Sequence, residues 1–435
     1  MDLFLKFRKD YFNYLISIIL PALISGISIP VFKNLLGAEG YGNFSIWFNA
    51  ILIIASVLSG WITQSIILFY PASTDKRKFS KNALILSVRT QVLFFIPVAI
   101  GVWWASHNVI LAILCSFFML VVSLQFTILP IIQSSFLSKK VISSEVIRVV
   151  SYFLFALLLL KLSGLSYLYS LFIAVIVSYS LSIFYLLKKA KKFFIVQEIK
   201  IDKKENQKSL FKKFFNYGAP LSLWFVFTYM LSYMDKLFML HRLGGEAQGN
   251  YQAIFDLLSK SIILIISPIV TSIFPILTSA YAQGNKSEIR RLLKRIILFE
   301  IGGFLLATML YWWFGATLLL HVLKTPNTFD FRLMGFIVIA ATFIWQIAVL
   351  VQKRFELKLR SLYLLAMVMI AFVTQIAFYL LFRNYNSQLL YPLGFLLSAV
   401  VYLFLISTSE LIAVSKSLPG SINKFLKINR AIDAR

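Results

Sequence analysis

The sequence predicts an all-α polytopic membrane protein of twelve transmembrane helices, built as two parallel six-helix bundles. Three observations predict it: apolar residues gathered in blocks long enough to span a bilayer, lysines and arginines sorted to one side of those blocks, and a phrase that occurs twice, half a chain apart.

The 435-residue chain is 60% hydrophobic and only 14% charged, with a mean hydropathy of +0.83. An ordinary soluble domain is about half apolar and a quarter charged. The apolar residues fall in twelve blocks, at 10–32, 42–70, 83–105, 108–137, 147–164, 166–187, 217–241, 249–280, 295–318, 331–352, 361–382 and 389–413. About 20 residues of helix cross a hydrocarbon core. Backbone facing lipid must satisfy its own hydrogen bonds, so each block is a helix or a strand of a closed barrel. Barrel strands are about ten residues long and alternate in polarity, and these blocks do neither. The first block continues past Pro21 and Ala22 to Phe32 without a small-residue cleavage site, so it reads as a retained span rather than a signal peptide. The lone Cys115 excludes an intramolecular disulfide and a cysteine-based metal cluster.

The net charge of +26 could suggest nucleic acid, but its distribution argues against that partner. Counted on alternate sides of the twelve blocks, with charges at block ends taken with the adjoining side, 34 of the 43 Lys and Arg residues fall on one side and six, Lys33 among them, on the other. Arg89, Lys236 and Lys260 lie within spans. This asymmetry is the positive-inside rule, and it puts both termini in the cytoplasm. The expected organisation is a bundle over 1–190, a basic cytoplasmic linker over 191–214, a second bundle over 215–415 and a tail over 416–435. No segment carries the Gly-rich phosphate loop of an ATP-driven pump. No metal-ligand cluster or nucleophile–base arrangement suggests an enzyme.

Residues 36–48 read LGAEGYGNFSIWF and residues 243–255 read LGGEAQGNYQAIF. Each copy sits in an outward-facing turn and opens a span, the second and the eighth. The copies are six spans apart, so the halves share one orientation, as in secondary transporters whose substrate site lies between repeats. Gly37 and Gly244 are placed to make the turn, and Gly42 and Gly249 to allow close backbone approach.

A chain of this size with LGAEGYGNF after its first span resembles the polysaccharide transporter branch of the multidrug/oligosaccharidyl-lipid/polysaccharide (MOP) exporter superfamily, and within it the Wzx-type O-antigen flippases. Asp235-Lys236 late in the seventh span and Gly249-Asn250-Tyr251 opening the eighth agree with that resemblance. It implies two six-helix bundles forming a V around a central cavity, working by alternating access in the bacterial inner membrane. The implied partner is an undecaprenyl-pyrophosphate-linked glycan, moved from the inner to the outer leaflet, with polysaccharide polymerase machinery downstream. A monomer without a cofactor is expected, and coupling to a proton or sodium gradient stays open.

Charged residues inside a membrane span are functional-site candidates by default. Lys260 lies twelve residues into the eighth span, about 18 Å deep at 1.5 Å per residue. Gln252, Asp256, Lys260, Ser267 and Thr271 form a polar stripe along one side of that span. Asp235 and Lys236 are adjacent, so separate partners are expected for them. Arg89 is close enough to the cytoplasmic end of its span to reach the interface. Glu300 is expected to pair with neighbouring arginines. His107, His241 and His321 fall near outer helix ends. Through the repeat, Asp256 corresponds to Asn49, Lys260 to Ile53 and Lys236 to Ile29. Asn49, Ser56, Gly60 and Gln64 make a neutral polar face on the second span. The first half therefore suits hydrogen bonding to sugars, and the second suits an anion. On this reading Lys260, with Lys236 and Arg89, meets the pyrophosphate.

Three other readings compete. A drug exporter of the same superfamily would carry acids in its cavity without matching bases. A lipid II-type flippase would carry two extra spans. A membrane polymerase or ligase would have a large outer loop, and the longest here is about a dozen residues, at 319–330.

Overall fold

A computed structural model describes residues 2–70, 73, 75–135, 137–189, 205–282, 286–358 and 360–414. Every regular element among them is helical. The first half contains α1 (Asp2–Phe69), α2 (Lys76–Ser106), α3 (Val109–Gln133), α4 (Ser138–Leu162) and α5 (Tyr167–Lys189). The second contains α6 (Glu205–Ala282), α7 (Lys286–Leu310), a π-helical turn (Tyr311–Gly315), α8 (Ala316–Val322), α9 (Phe329–Leu357), α10 (Ser361–Leu381) and α11 (Leu390–Val414). The tail at 416–435 and most of the linker lie outside the described residues. Near the linker's end, α6 is already helical from Glu205, earlier than the span expected from 217.

Eleven of the twelve apolar blocks each fall on one of these helices, or on one arm of α1 or α6; the block at 295–318 runs from α7 through the π turn into α8. Eight of the described helices are long and apolar enough to cross a membrane. α4 and α6, which carry charged residues along their length, are not among the eight. Several helices turn large apolar side chains outward, including Leu93, Ile96 and Trp104 on α2 and Leu305, Met309 and Trp313 around the π turn. Their polar groups point inward. Gln91 donates to Ser87 Oγ at 2.6 Å, and Ser87 Oγ lies 2.7 Å from Thr127 Oγ1. This inverse of a soluble surface marks a multi-pass membrane protein.

The repeat is visible in the backbone. α1 is broken at Gly37 (φ 73°, ψ 171°) and α6 at Gly244 (φ 84°, ψ 175°). Both occupy a region of φ/ψ space open essentially only to glycine. Each glycine divides its rod into two arms. The second arm of α1 runs antiparallel to the first arm of α6: Ser65 Oγ donates to the Phe214 carbonyl at 2.9 Å, and Ser222 Oγ to the Ser56 carbonyl at 3.0 Å. The first arm of α1 meets the second arm of α6 where Gly26 faces Leu257. Helices α1–α5 otherwise pack among themselves, as do α6–α11, so α1 and α6 provide the main join between the halves.

Small residues make that join. A Cβ on Gly42 would come within 2.9 Å of the Gly249 Cα, and one on Gly249 would overlap the Ala38 carbonyl oxygen. Lower down, a Cβ on Gly218 would overlap the Trp61 carbonyl, and one on Gly60 would lie 2.6 Å from Ser222 Oγ. The two copies of the phrase therefore do more than turn the chain, since they touch each other. Lipid supplies no hydrophobic drive between helices, and small residues that let backbones approach take its place.

Gly249→Val should lower the thermal midpoint of the detergent-purified protein sharply, with overpacking of about 1–3 kcal/mol or more because the clash is with backbone. Gly101→Ala, where a Cβ meets nothing within 4 Å, should leave it within a degree or two. Equal effects in thermal unfolding would remove the close contact from the account.

Candidate functional site

The polar stripe of α6 faces the first half. Asp256 is its centre. Its Oδ2 accepts hydrogen bonds from Gln252 Nε2 at 2.8 Å, within α6, and from Tyr41 Oη at 2.9 Å, across the join from α1. Its Oδ1 lies 3.3 Å from Lys260 Nζ. Asp256 is nearly enclosed, but the Lys260 side chain is 57% exposed. The acid's lone pairs are thus shared among three donors, and the ammonium keeps N–H donors free. Lys260 stands about 18 Å along its arm, far from either helix end, so its exposure is to an interior space or the bilayer rather than to an interface. The side chains of Ser267 and Thr271, which extend the stripe in sequence, lie outside those described.

Asp235 and Lys236 do have separate partners. Asp235 is fully buried and accepts from Tyr251 Oη and from the backbone N–H of Lys236, the latter at 2.7 Å. Lys236 is 3% exposed, and its ammonium lies 3.9 Å from the centroid of the Phe255 ring. A cation on an aromatic face gains from the ring quadrupole, most when water is excluded. Lys236 therefore points into the protein. Tyr251 and Phe255 both belong to the second repeat phrase, so the phrase supplies walls around both charges.

The neutral candidates are partly in place. Asn49, equivalent to Asp256, is half-buried and donates to its own helix at the Ser45 carbonyl, 2.8 Å away. Gln64 is half-buried. Gln252 reaches Asp256 with its nitrogen, while its buried oxygen has no hydrogen-bond partner. Arg89 is exposed on α2. His107, His241 and His321 are exposed. Glu300 departs from expectation: it is buried, and neither of its oxygens accepts a hydrogen bond.

Sequence reasoning missed three groups. Tyr41 stands inside the first phrase, but only the fold brings it to Asp256. Glu145 and Arg148 form a second cluster, on α4. Arg148 Nε and Nη2 lie 3.0 and 2.6 Å from Glu145 Oε2, Gln125 Nε2 donates to Glu145 Oε1 at 2.7 Å, and the guanidinium lies 5.0 Å from the Tyr179 ring centroid. Lys33, read as an outer-loop charge, is 4% exposed. Its ammonium donates to the Leu323 carbonyl and to Thr325 Oγ1, the latter at 2.8 Å, just beyond the C-terminus of α8. Asn34 donates to the Val322 carbonyl at 3.2 Å. Orphan carbonyls at a helix C-terminus carry partial negative charge and favour a cation. Lys33 thus ties the first half to the second.

Tyr41→Phe should destabilise the protein by about 1 kcal/mol or more, and should lose that effect once Asp256 is Leu. A thermal or denaturant double-mutant cycle reads the coupling, and strictly additive effects would mean that the cross-half hydrogen bond is not made in the membrane protein.

The family profile described as polysaccharide biosynthesis protein matches residues 7–281. No match was found among curated proteins. Among solved structures, an inward-facing conformation of a multidrug resistance MATE family transporter of the MOP superfamily superposes with a TM-score of 0.66 at 14% identity, over 92% of this chain and 96% of that one. An outward-facing conformation of such a transporter gives 0.65 at 13% identity, over 93% and 96%. A MOP superfamily transporter from Pyrococcus furiosus, described as having a binding pocket of reverse polarity, gives 0.64 at 14% identity, over 93% and 96%. At these identities the likeness is one of fold. The all-helical fold is that of the MOP transporters, and the chain belongs to the polysaccharide biosynthesis protein family.

Proposed function

We propose that the protein is a flippase of the bacterial cytoplasmic membrane, moving undecaprenyl-pyrophosphate-linked oligosaccharide units from the inner to the outer leaflet for O-antigen or other surface polysaccharide. Family membership supports polysaccharide assembly as the setting, and the fold supports transport as the activity. The observation that carries the reading is the exposed ammonium of Lys260 deep within α6, held at its base by a buried Asp256 whose remaining valence is taken by Tyr41 and Gln252. A site for cationic drugs would present an open acid; here the acid is covered and the base is presented. Lysine binds phosphate oxygens through charge-assisted hydrogen bonds. Asn49 and Gln64 on the facing half offer neutral donors and acceptors suited to sugar hydroxyls. Arg89 and Lys236 have lesser parts in this scheme, the first exposed on α2 and the second covered by Phe255.

In this reading the chain forms twelve spans in two bundles around a central cavity, acts as a monomer with both termini cytoplasmic, and binds no nucleic acid. Alternating access requires the outer ends of the halves to separate. The bonds that hold them are the Lys33 contacts at the end of α8 and the glycine contact at the phrases.

Lys260→Ala should reduce surface polysaccharide by about tenfold or more, the equivalent of one charge-assisted hydrogen bond of about 1.5–3 kcal/mol, with lipid-linked sugar accumulating on the cytoplasmic leaflet. Lys260→Arg should retain part of the activity. Unchanged polysaccharide in Lys260→Ala, or drug sensitivity without a polysaccharide defect on deletion, would move the assignment to drug export. Lys33→Met should release the outer latch. Spin labels at Leu35→Cys and His321→Cys, both exposed positions, should then report a larger population at long separation by double electron–electron resonance; an unchanged distance distribution would remove the latch from the cycle.

A further inference from the structure

α7 carries an acid that none of the preceding contacts uses. Glu300 is 1% exposed, and both of its carboxylate oxygens lack a hydrogen-bond partner. It sits on the inward stripe of α7, with Leu293, Ile297, Phe304 and Ala307 at helical spacing around it. Leu293 clusters with Leu350 of α9, and Phe304 lies edge-on to Phe343 of α9, with ring centroids 5.5 Å apart. That register turns Glu300 toward the stretch of α9 between Phe343 and Leu350.

Nothing there can neutralise it. Residues 343–352 of α9 (FIWQIAVLVQ) contain no ionisable group. Residues 261–280 of α6, the other long helix that α7 packs on, contain none either. On the π turn the titratable group is Tyr311, whose hydroxyl donates to the Arg332 carbonyl. On α7 itself Arg290, Arg291, Lys294 and Arg295 are exposed at the cytoplasmic end. The nearest, Arg295, is about 7.5 Å away in helix rise, and Glu300 is in no ion pair among the described residues. A bare carboxylate in such surroundings costs several kcal/mol, so it needs a proton or a bound cation. A metal cation needs several oxygen ligands. No group of three or more acidic, histidine or cysteine side chains that could hold one is present among the described residues, and the neighbours on the stripe are hydrocarbon. A proton needs one oxygen.

We propose that Glu300 is a proton-exchange site of the working cycle, neutral while α7 is packed on α9 and deprotonated when that packing opens it to water. The step is a simple protonation: the carboxylate takes a proton from one aqueous side and returns it to water when the contact parts. The helix that carries it runs on through the π turn into α8, whose C-terminal carbonyls hold Lys33. Single π turns often mark functional bends in helices. One rod thus bears the buried acid towards its cytoplasmic end and the outer latch at its other end. The proposal rests on the reading of the chain as a transporter, but not on which solute it carries.

Infrared difference spectra of the full chain in lipid nanodiscs, recorded as pH is stepped from acid to alkaline, test this without substrate. Wild type should lose a protonated-carboxyl carbonyl band that is absent from Glu300→Gln and Glu300→Met alike. The two variants are close in size to glutamate and uncharged, so a folding defect in one leaves the other to report. The same band at full amplitude in both would overturn the proposal. A band displaced by sodium chloride at fixed pH would overturn it in favour of a metal cation. In cells, Glu300→Asp should keep surface polysaccharide at half the wild-type level or more, while Glu300→Gln loses about tenfold; full export by Glu300→Gln would overturn the role in the cycle. If the solute is not a lipid-linked glycan, the cell assay fails for wild type as well, while the infrared band remains.

Discussion

The near-contact of two glycines holds this architecture together. Gly42 against Gly249, with the Ala38 carbonyl seated where a side chain would be, lets the backbones of α1 and α6 meet. In a bilayer, helix association depends on close packing and interhelical hydrogen bonds, and α1 and α6 supply both. Ser65 and Ser222 donate across the same seam to main-chain carbonyls. The Tyr41–Asp256 bond is reachable only because the seam is tight at the phrases, and the position of Lys260 follows from that bond one helical turn on. A bulky residue at Gly249 would therefore disturb the site as well as the join.

The scaffold is duplicated, but its polar chemistry is one-sided. Tyr41 has Gln248 as its repeat equivalent, and Asp256 has Asn49. Symmetry would pair Gln248 with Asn49. Instead both polar atoms of the Gln248 side chain are buried without partners, and Asn49 bonds to its own helix. Lys260 and Lys33 correspond to Ile53 and Leu240. One half contributes the charges of α6 and the other contributes Lys33, so the halves differ in their polar chemistry on a common frame.

Much of the frame was legible in the sequence because its signals are local. Block length and the sorting of Lys and Arg mark the helices, and Gly37 and Gly244 carry the backbone signature of a reversal at the expected places. The stripe from Gln252 to Lys260 was legible because helical spacing alone puts it on one face. What escaped depends on distant neighbours. Tyr41 was in view, but its partner is 215 residues away. Lys33 looked like an interfacial charge because nothing local foretells that the end of α8 lies over it. Glu300 looked like one more partner for a basic helix end, yet its stripe turns it inward while Arg290, Arg291, Lys294 and Arg295 face out. The helical start of α6 at Glu205 was hidden because its lysines carry no spanning signal, although lysine, glutamate and glutamine favour helix.

The charges on α6 have a consequence for how the protein is made. A translocon releases a segment into lipid according to its hydrophobicity, and each Asp or Lys at a helix centre opposes release by about 2.5–3.5 kcal/mol. With Asp235, Lys236, Asp256 and Lys260 along it, α6 is a poor candidate for release on its own, whereas α1, synthesised first, is apolar enough to settle early. The glycine seam and the Tyr41 hydroxyl give α6 a surface to dock on, and chain order becomes part of the design: the rod that tolerates lipid enters first and shelters the one that does not.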